Sequence, residues 1–212
     1  MSPSASLRRA ALALALLTLS AAASAAPDAD GPSLARQHCT VCHGAKGEST
    51  TEQFPQLAGQ TREYLRKQLA DFRAGTRVHV AMNQIAGGLT DAQMDALAQW
   101  FSQQTPELHP PRDALLAGVG RYIYERGNTF AGVPACVSCH SATGQGNARL
   151  PRLAGQHPLY VENQLRRFHA GARGNDGGVM GFVTGRLTEL ELRGVAAYVG
   201  GMSGGSRAAS AR

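Results

Sequence analysis

Cys39-Thr40-Val41-Cys42-His43 and Cys136-Val137-Ser138-Cys139-His140 are one five-residue word written twice, and between them they use all four cysteines of the chain. On a helical turn, residues at i, i+3 and i+4 share a face. Each word therefore aligns two thiols and an imidazole. Cys-x-x-Cys-His is the attachment signature of a c-type haem. The two thiols can form thioethers to the vinyl groups of one porphyrin, and the histidine is then carried under the ring to bind iron. The expectation is two covalent haem c groups, held by Cys39, Cys42, Cys136 and Cys139, with His43 and His140 as axial ligands. A four-cysteine zinc site or two redox disulfides would use the same thiols. Neither gives a reason for a histidine directly after each pair.

Outward from the words, the chain repeats itself. Phe54-Pro-Gln-Leu-Ala-Gly-Gln60 matches Leu150-Pro-Arg-Leu-Ala-Gly-Gln156. Tyr64, Gln68, Leu69, Phe72 and Gly75 then match Tyr160, Gln164, Leu165, Phe168 and Gly171 at the same spacing. A period this long is the length of a small domain, not of a solenoid unit. The fold class is all-α, as two tandem domains each wrapped around one haem. Each half should run from a first helix into the word (roughly 33–42, and 113–126 with a longer loop before Cys136). A second helix follows near 62–73, with its partner starting at Pro158. The last helix opens on a capping box, Thr90-Asp-Ala-Gln93 or Thr188-Glu-Leu-Glu191. Leu97, Trp100 and Phe101, like Val195, Tyr198 and Val199, recur at helical spacing and read as core. The domain boundaries are 26–104 and 113–200. Residues 105–112, with three prolines, form a semi-rigid linker. Residues 201–212 read as a disordered tail.

The chain opens with a targeting pattern over residues 1–25. Arg8 and Arg9 precede the short apolar run 10–19, and Ala23-Ser24-Ala25 fits a cleavage site. Export to the periplasm is the expectation, with loose membrane association if the segment is retained. Net charge is +6; without Arg8 and Arg9 it is +4, and four haem propionates bring it close to neutral. The high isoelectric point therefore does not argue for nucleic acid, and no basic stripe supports it. Only Lys46 and Lys67 are lysines among the 21 basic residues.

The second axial ligand decides between carrier and catalyst. Met82 lies seven residues before Leu89 and Met180 seven before Leu187, each in the loop between second and third helices. His79, Met94, His157, His169 and Met202 have no partner of their own type in the other half. Methionine opposite histidine closes the iron and raises its potential. The second nitrogen of each axial imidazole needs a partner, and the carbonyls of Pro55 and Pro151 are the candidates. The second methionine loop holds five glycines from Gly171 to Gly181 against one from Gly75 to Asn83. It should open first, unless Asn175 and Asp176 pin it.

In combination, the paired words, the Pro-x-Leu-Ala-Gly-Gln segments and Arg173-Gly-Asn-Asp-Gly-Gly-Val-Met180 resemble the dihaem cytochrome c4 family of tandem class I cytochrome c domains. The resemblance covers nearly the whole mature chain. It implies the ligands His43, Met82, His140 and Met180, thioethers at the four cysteines, and Pro55 and Pro151 behind the histidines. It also implies a monomeric periplasmic electron carrier with no bond-breaking reaction. Such a carrier takes electrons from a quinol-linked donor such as a cytochrome bc complex and delivers them to a haem–copper terminal oxidase. The first methionine loop, Arg77 to Met82, is shorter than the family usually shows. The rival readings are an electron-accepting subunit of a periplasmic dehydrogenase, of the sulfide-oxidising flavoprotein type, and a dihaem peroxidase or thiosulfate oxidoreductase. The enzyme reading needs an open iron site or a spare cysteine, and no cysteine is spare.

Overall fold

The computed structural model describes residues 30–204. The targeting segment and the last eight residues of the tail lie outside them. Among the described residues all regular elements are helices, joined by loops with one isolated bridge between Asn128 and Val133.

In the first half, α1 (Gly31–His38) starts where the Asp30 carboxylate accepts the Ser33 N–H at 2.7 Å. The expected single helix into the word breaks at Cys39, and α2 (Thr40–His43) carries the word itself. The Ala35 carbonyl accepts both the Cys39 N–H and the Thr40 hydroxyl, so a side chain competes with the helix ladder where it breaks. Next come α3 (Arg62–Arg73), α4 (Val80–Gly87) and α5 (Asp91–Ser102), the last with its capping box closed by Thr90 and Gln93. The second half runs α6 (Ala114–Arg126), α7 (Val137–His140), α8 (Pro158–His169), α9 (Val179–Thr184) and α10 (Glu189–Gly201). Its capping box, Thr188 with Glu191, is also closed.

Two of these elements replace expected loops. Met82 sits in α4 and Met180 in α9. Each short helix is started by a side chain on the methionine's own N–H: His79 Nδ1 accepts it at 3.4 Å, and Asp176 Oδ2 at 2.6 Å. The second half also continues past residue 200, because α10 reaches Gly201 and Met202 is buried against its core.

Each half has its own core. Leu34, Leu65, Phe72, Met94, Leu97 and Phe101 form the first; Ile123, Tyr124, Val161, Leu165, Leu192, Val195 and Val199 form the second. In each, the first helix crosses the last at backbone contact. A Cβ on Gly31 would lie 2.4 Å from the Ala96 carbonyl, and one on Gly120 would lie 1.8 Å from that of Gly194. No side-chain rotation relieves a clash with backbone. Gly120→Ala is therefore expected to destabilise the second half by about 3 kcal/mol, the upper end of the usual cost of overpacking, read as a lower urea midpoint for the holoprotein.

After each word the backbone turns into a region that favours glycine. Gly44 has φ 76° and ψ 164°; Ser141 has φ 71° and ψ 160°. A side chain there costs about 1–3 kcal/mol. The Ser141 hydroxyl recovers part by accepting the Gln145 N–H at 3.1 Å. Ser141→Gly should stabilise the protein by about 1 kcal/mol; an unchanged or lower urea midpoint would contradict the strain.

Candidate functional site: two haem-attachment centres

The words place their histidines in the interior. His43 and His140 are 6% and 7% exposed. His43 Nδ1 donates to the Pro55 carbonyl at 2.9 Å, and His140 Nδ1 to the Pro151 carbonyl at 3.1 Å. A carbonyl oxygen only accepts, so Nδ1 carries the proton and Nε2 keeps its lone pair. Burial pushes both imidazoles below their ordinary pKa, against the carbonyl bond that pulls upward. Each is therefore a neutral donor ready to bind iron.

The cysteines fit the same group. Burial pushes the Cys39 and Cys136 thiols up to about 11, with the neighbouring Cys42 and Cys139 adding to the effect. That setting resists a thiolate and suits an uncharged thioether sulfur. All four thiols are free of disulfides. Among the described residues no three His, Cys, Asp or Glu side chains converge as a metal site, so the two pairs do not combine into a four-thiolate zinc centre. The donor set fits haem.

Met82 packs against the first core, as Cys39 does; Met180 packs against the second, as Cys136 does. The competing residues have other work. Met94 is core at 1% exposure, and Met202 is buried in the second cluster. His157 Nε2 donates to the Ser49 carbonyl, and His169 Nδ1 to that of Thr184. His79 caps α4 next to Met82. The side chains suspected of pinning the second loop do so. Asp176 accepts from Gly178 and Met180, and Asn175 Nδ2 donates to Gln68 Oε1 and Asp71 Oδ2. The first loop is pinned too: His79 Nδ1 accepts the Met82 N–H, and Asn83 Nδ2 donates to the carbonyls of Phe72 and Arg77.

Between the centres lies a two-fold-like contact that the motif reading did not find. Arg77 donates to Gln68, Tyr160 and Gln164; Arg173 donates to Gln164, Tyr64 and Gln68. Each guanidinium also lies over a phenylalanine of its own half, Phe72 or Phe168. The signal was present, because Arg77 and Arg173 share the spacing of Tyr64 with Tyr160 and Gln68 with Gln164. Beside this network the last residues of the repeated segments grip the opposite half. Gln156 is bonded to the backbone of Gln56, and Gln60 to that of Arg152. The linker is packed, not loose: Glu107 exchanges two bonds with the Gln56 carboxamide, and the His109 N–H donates to the Gly200 carbonyl.

The family model for cytochrome c matches this chain twice, over residues 29–105 and 124–203. Cytochrome c4 of Azotobacter vinelandii is 37% identical over 207 residues, covering 91% of this chain and 98% of that protein. A thiosulfate dehydrogenase electron acceptor of Stutzerimonas stutzeri is 37% identical, over 79% of this chain and 80% of that one. The crystal structure of reduced recombinant cytochrome c4 from Pseudomonas stutzeri superposes with a TM-score of 0.77 at 34% identity, over 82% of this chain and 98% of that one. With both halves matched and nearly the full length of a c4 cytochrome covered, the chain belongs to the cytochrome c family, among its tandem c4 members, and is an electron-transfer protein carrying two covalent haem c groups.

Proposed function

We propose that this protein is a periplasmic carrier that performs no bond-breaking reaction and passes electrons from a quinol-linked donor to a haem–copper terminal oxidase. In this reading Cys39 and Cys42 hold the first haem, with His43 and Met82 as ligands. Cys136 and Cys139 hold the second, with His140 and Met180. When bound, each iron supplies a one-electron ferric–ferrous couple. The observation that carries the reading is the paired one: two buried neutral histidines, each fixed through Nδ1 to a proline carbonyl.

The residues around the couple do three things. The proline carbonyls fix the tautomer and ring plane of each histidine, so Nε2 stays aimed. With haem bound, the sulfurs of Met82 and Met180 would serve as the second ligands, which would favour the reduced iron and keep small ligands out. The bonds between the halves hold the two attachment centres in one arrangement relative to each other.

Docking fits the surface. Val41 in the first word is 99% exposed and Val80 at the start of α4 is 86% exposed. Val179 and Phe182 of α9 are exposed as well. Lys67 is held by Asp71 and by the Asn175 carbonyl, so lysine steering rests on Lys46 alone. Among the described residues no helix is long and apolar enough to cross a membrane.

The similarity to a thiosulfate dehydrogenase electron acceptor favours a second reading, in which the donor is a periplasmic dehydrogenase. Rapid mixing of the oxidised protein with a reduced dehydrogenase of that type, or with a reduced bc complex, separates the two by rate.

Denaturing mass spectrometry of the mature holoprotein should show the polypeptide plus two haems. Met82→His and Met180→His should each lower one potential and barely move the other. Carbon monoxide should not bind the reduced wild type. One haem, an unmoved potential or ready carbon monoxide binding each contradicts the reading.

The pins decide which methionine lets go first. Asp176→Ala removes the acceptor on the Gly178 and Met180 N–H groups, bonds worth about 1 kcal/mol each. Met180 should then detach at lower pH in an alkaline titration, with the Met82 methyl resonance unmoved.

A further inference from the structure

The glutamines that close the two repeated segments are mirror images in what they hold. Gln156 Oε1 accepts the Gln56 N–H at 2.8 Å, and Gln156 Nε2 donates to the Gln56 carbonyl at 2.9 Å. Gln60 Oε1 accepts the Arg152 N–H at 2.7 Å, and Gln60 Nε2 donates to the Arg152 carbonyl at 2.9 Å. Each oxygen is also held by the next N–H of its own chain, that of His157 or Thr61. Gln60 and Gln156 are buried, as is Gln56, so these bonds are shielded from water.

The two backbone N–H groups have a special address. The Gln56 N–H belongs to the same peptide unit as the Pro55 carbonyl, which accepts His43 Nδ1–H. The Arg152 N–H belongs to the same unit as the Pro151 carbonyl, which accepts His140 Nδ1–H. Each of these amide planes is therefore bonded at both ends. Its N–H meets a glutamine of the opposite half; its oxygen meets the imidazole of its own half.

A peptide group is conjugated, and hydrogen bonds in series polarise one another. An acceptor on the N–H moves electron density toward the oxygen. A richer oxygen draws the Nδ1 proton more strongly, and Nε2 becomes a stronger donor to a metal. Stronger donation favours the ferric state. We propose that Gln156 is a positioning residue for the iron centre of the first half and Gln60 for that of the second. Each glutamine sets the ligand strength of the histidine carried by the opposite half, through a single peptide plane. The proposal rests on the ligation argued above. It gives each centre a bond by which the arrangement of the two halves reaches its potential.

The test is crossed. In the holoprotein, Gln156→Met keeps the length of the side chain and removes the accepting oxygen. It is expected to shift upward the potential of the haem on His43 and leave the haem on His140 in place. Gln60→Met does the reverse. Gln156→Glu keeps an accepting oxygen and does not shift the first haem upward. The two haems are told apart by NMR of their ligand methionine methyls during a redox titration. A shift in the variant's own half, equal shifts in both haems, or an upward shift with Glu as with Met overturns the proposal; any of these is what a merely structural contact gives. If the Met variants fail to assemble, the reduced wild type still decides. Scalar couplings across the hydrogen bonds are expected from the Gln56 amide nitrogen to the Gln156 side-chain carbonyl carbon, and from His43 Nδ1 to the Pro55 carbonyl carbon. Absence of either overturns it. Haem count and methionine signals in the wild type test the ligation separately. If they fail, that reading falls and the proposal with it; if they stand and the crossed shift is missing, only the proposal falls.

Discussion

A neutral imidazole buried in each half donates its Nδ1 proton to the carbonyl of a proline, and much of the local architecture is arranged to keep that bond. The histidine comes from a one-turn helix, the proline from a loop about a dozen residues on. For the two to meet, the backbone must reverse directly after the histidine, at Gly44 or Ser141. The returning loop is then stitched down: the Gly47 carbonyl accepts from Leu57 and Ala58, and the Gly144 carbonyl from Leu153 and Ala154. Burial without a partner would leave Nδ1–H costly. With the carbonyl it becomes the bond that fixes the tautomer and frees Nε2.

The halves share this plan but solve its details differently. The first turn uses a glycine, while the second uses a serine whose backbone carbonyl also accepts the hydroxyl of the buried Tyr124. In the first, the first residue of α1, Gly31, meets the Ala96 carbonyl; in the second, Gly120 and Gly194 meet backbone to backbone within their helices. The first methionine helix is capped by the imidazole of His79, while the second starts at Gly178 with the upstream Asp176 carboxylate holding the Met180 N–H. Duplication set the common frame, and each half then carries its own local packing around it.

The contact between the halves is polar and buried, which makes it specific. Every glutamine and arginine in it has a partner in the opposite half. An apolar interface would tolerate sliding. A set of carboxamides bonded to particular peptide groups does not, because a small displacement leaves buried donors and acceptors unpaired.

The words Cys39 to His43 and Cys136 to His140, with the repeat at constant spacing, were enough to establish two tandem all-α haem domains. That follows because thioether attachment needs two thiols and an imidazole at helical spacing, and the repeat exposes duplication directly. The capping boxes and the helix at Pro158 were legible for the same reason: they are local. The short helices that carry Met82 and Met180 were not, although the bonds that start them are local: neither an imidazole at the start of α4 nor a carboxylate two residues before the glycine cap of α9 is a usual mark of a helix start. Met202 read as tail because its buried neighbours are distant in sequence. The pairing of Arg77 with Tyr160, and of Gln156 with the peptide behind His43, belongs to tertiary structure alone. A sequence can show that such residues recur at matched positions; only the docking of one half on the other decides what each of them touches.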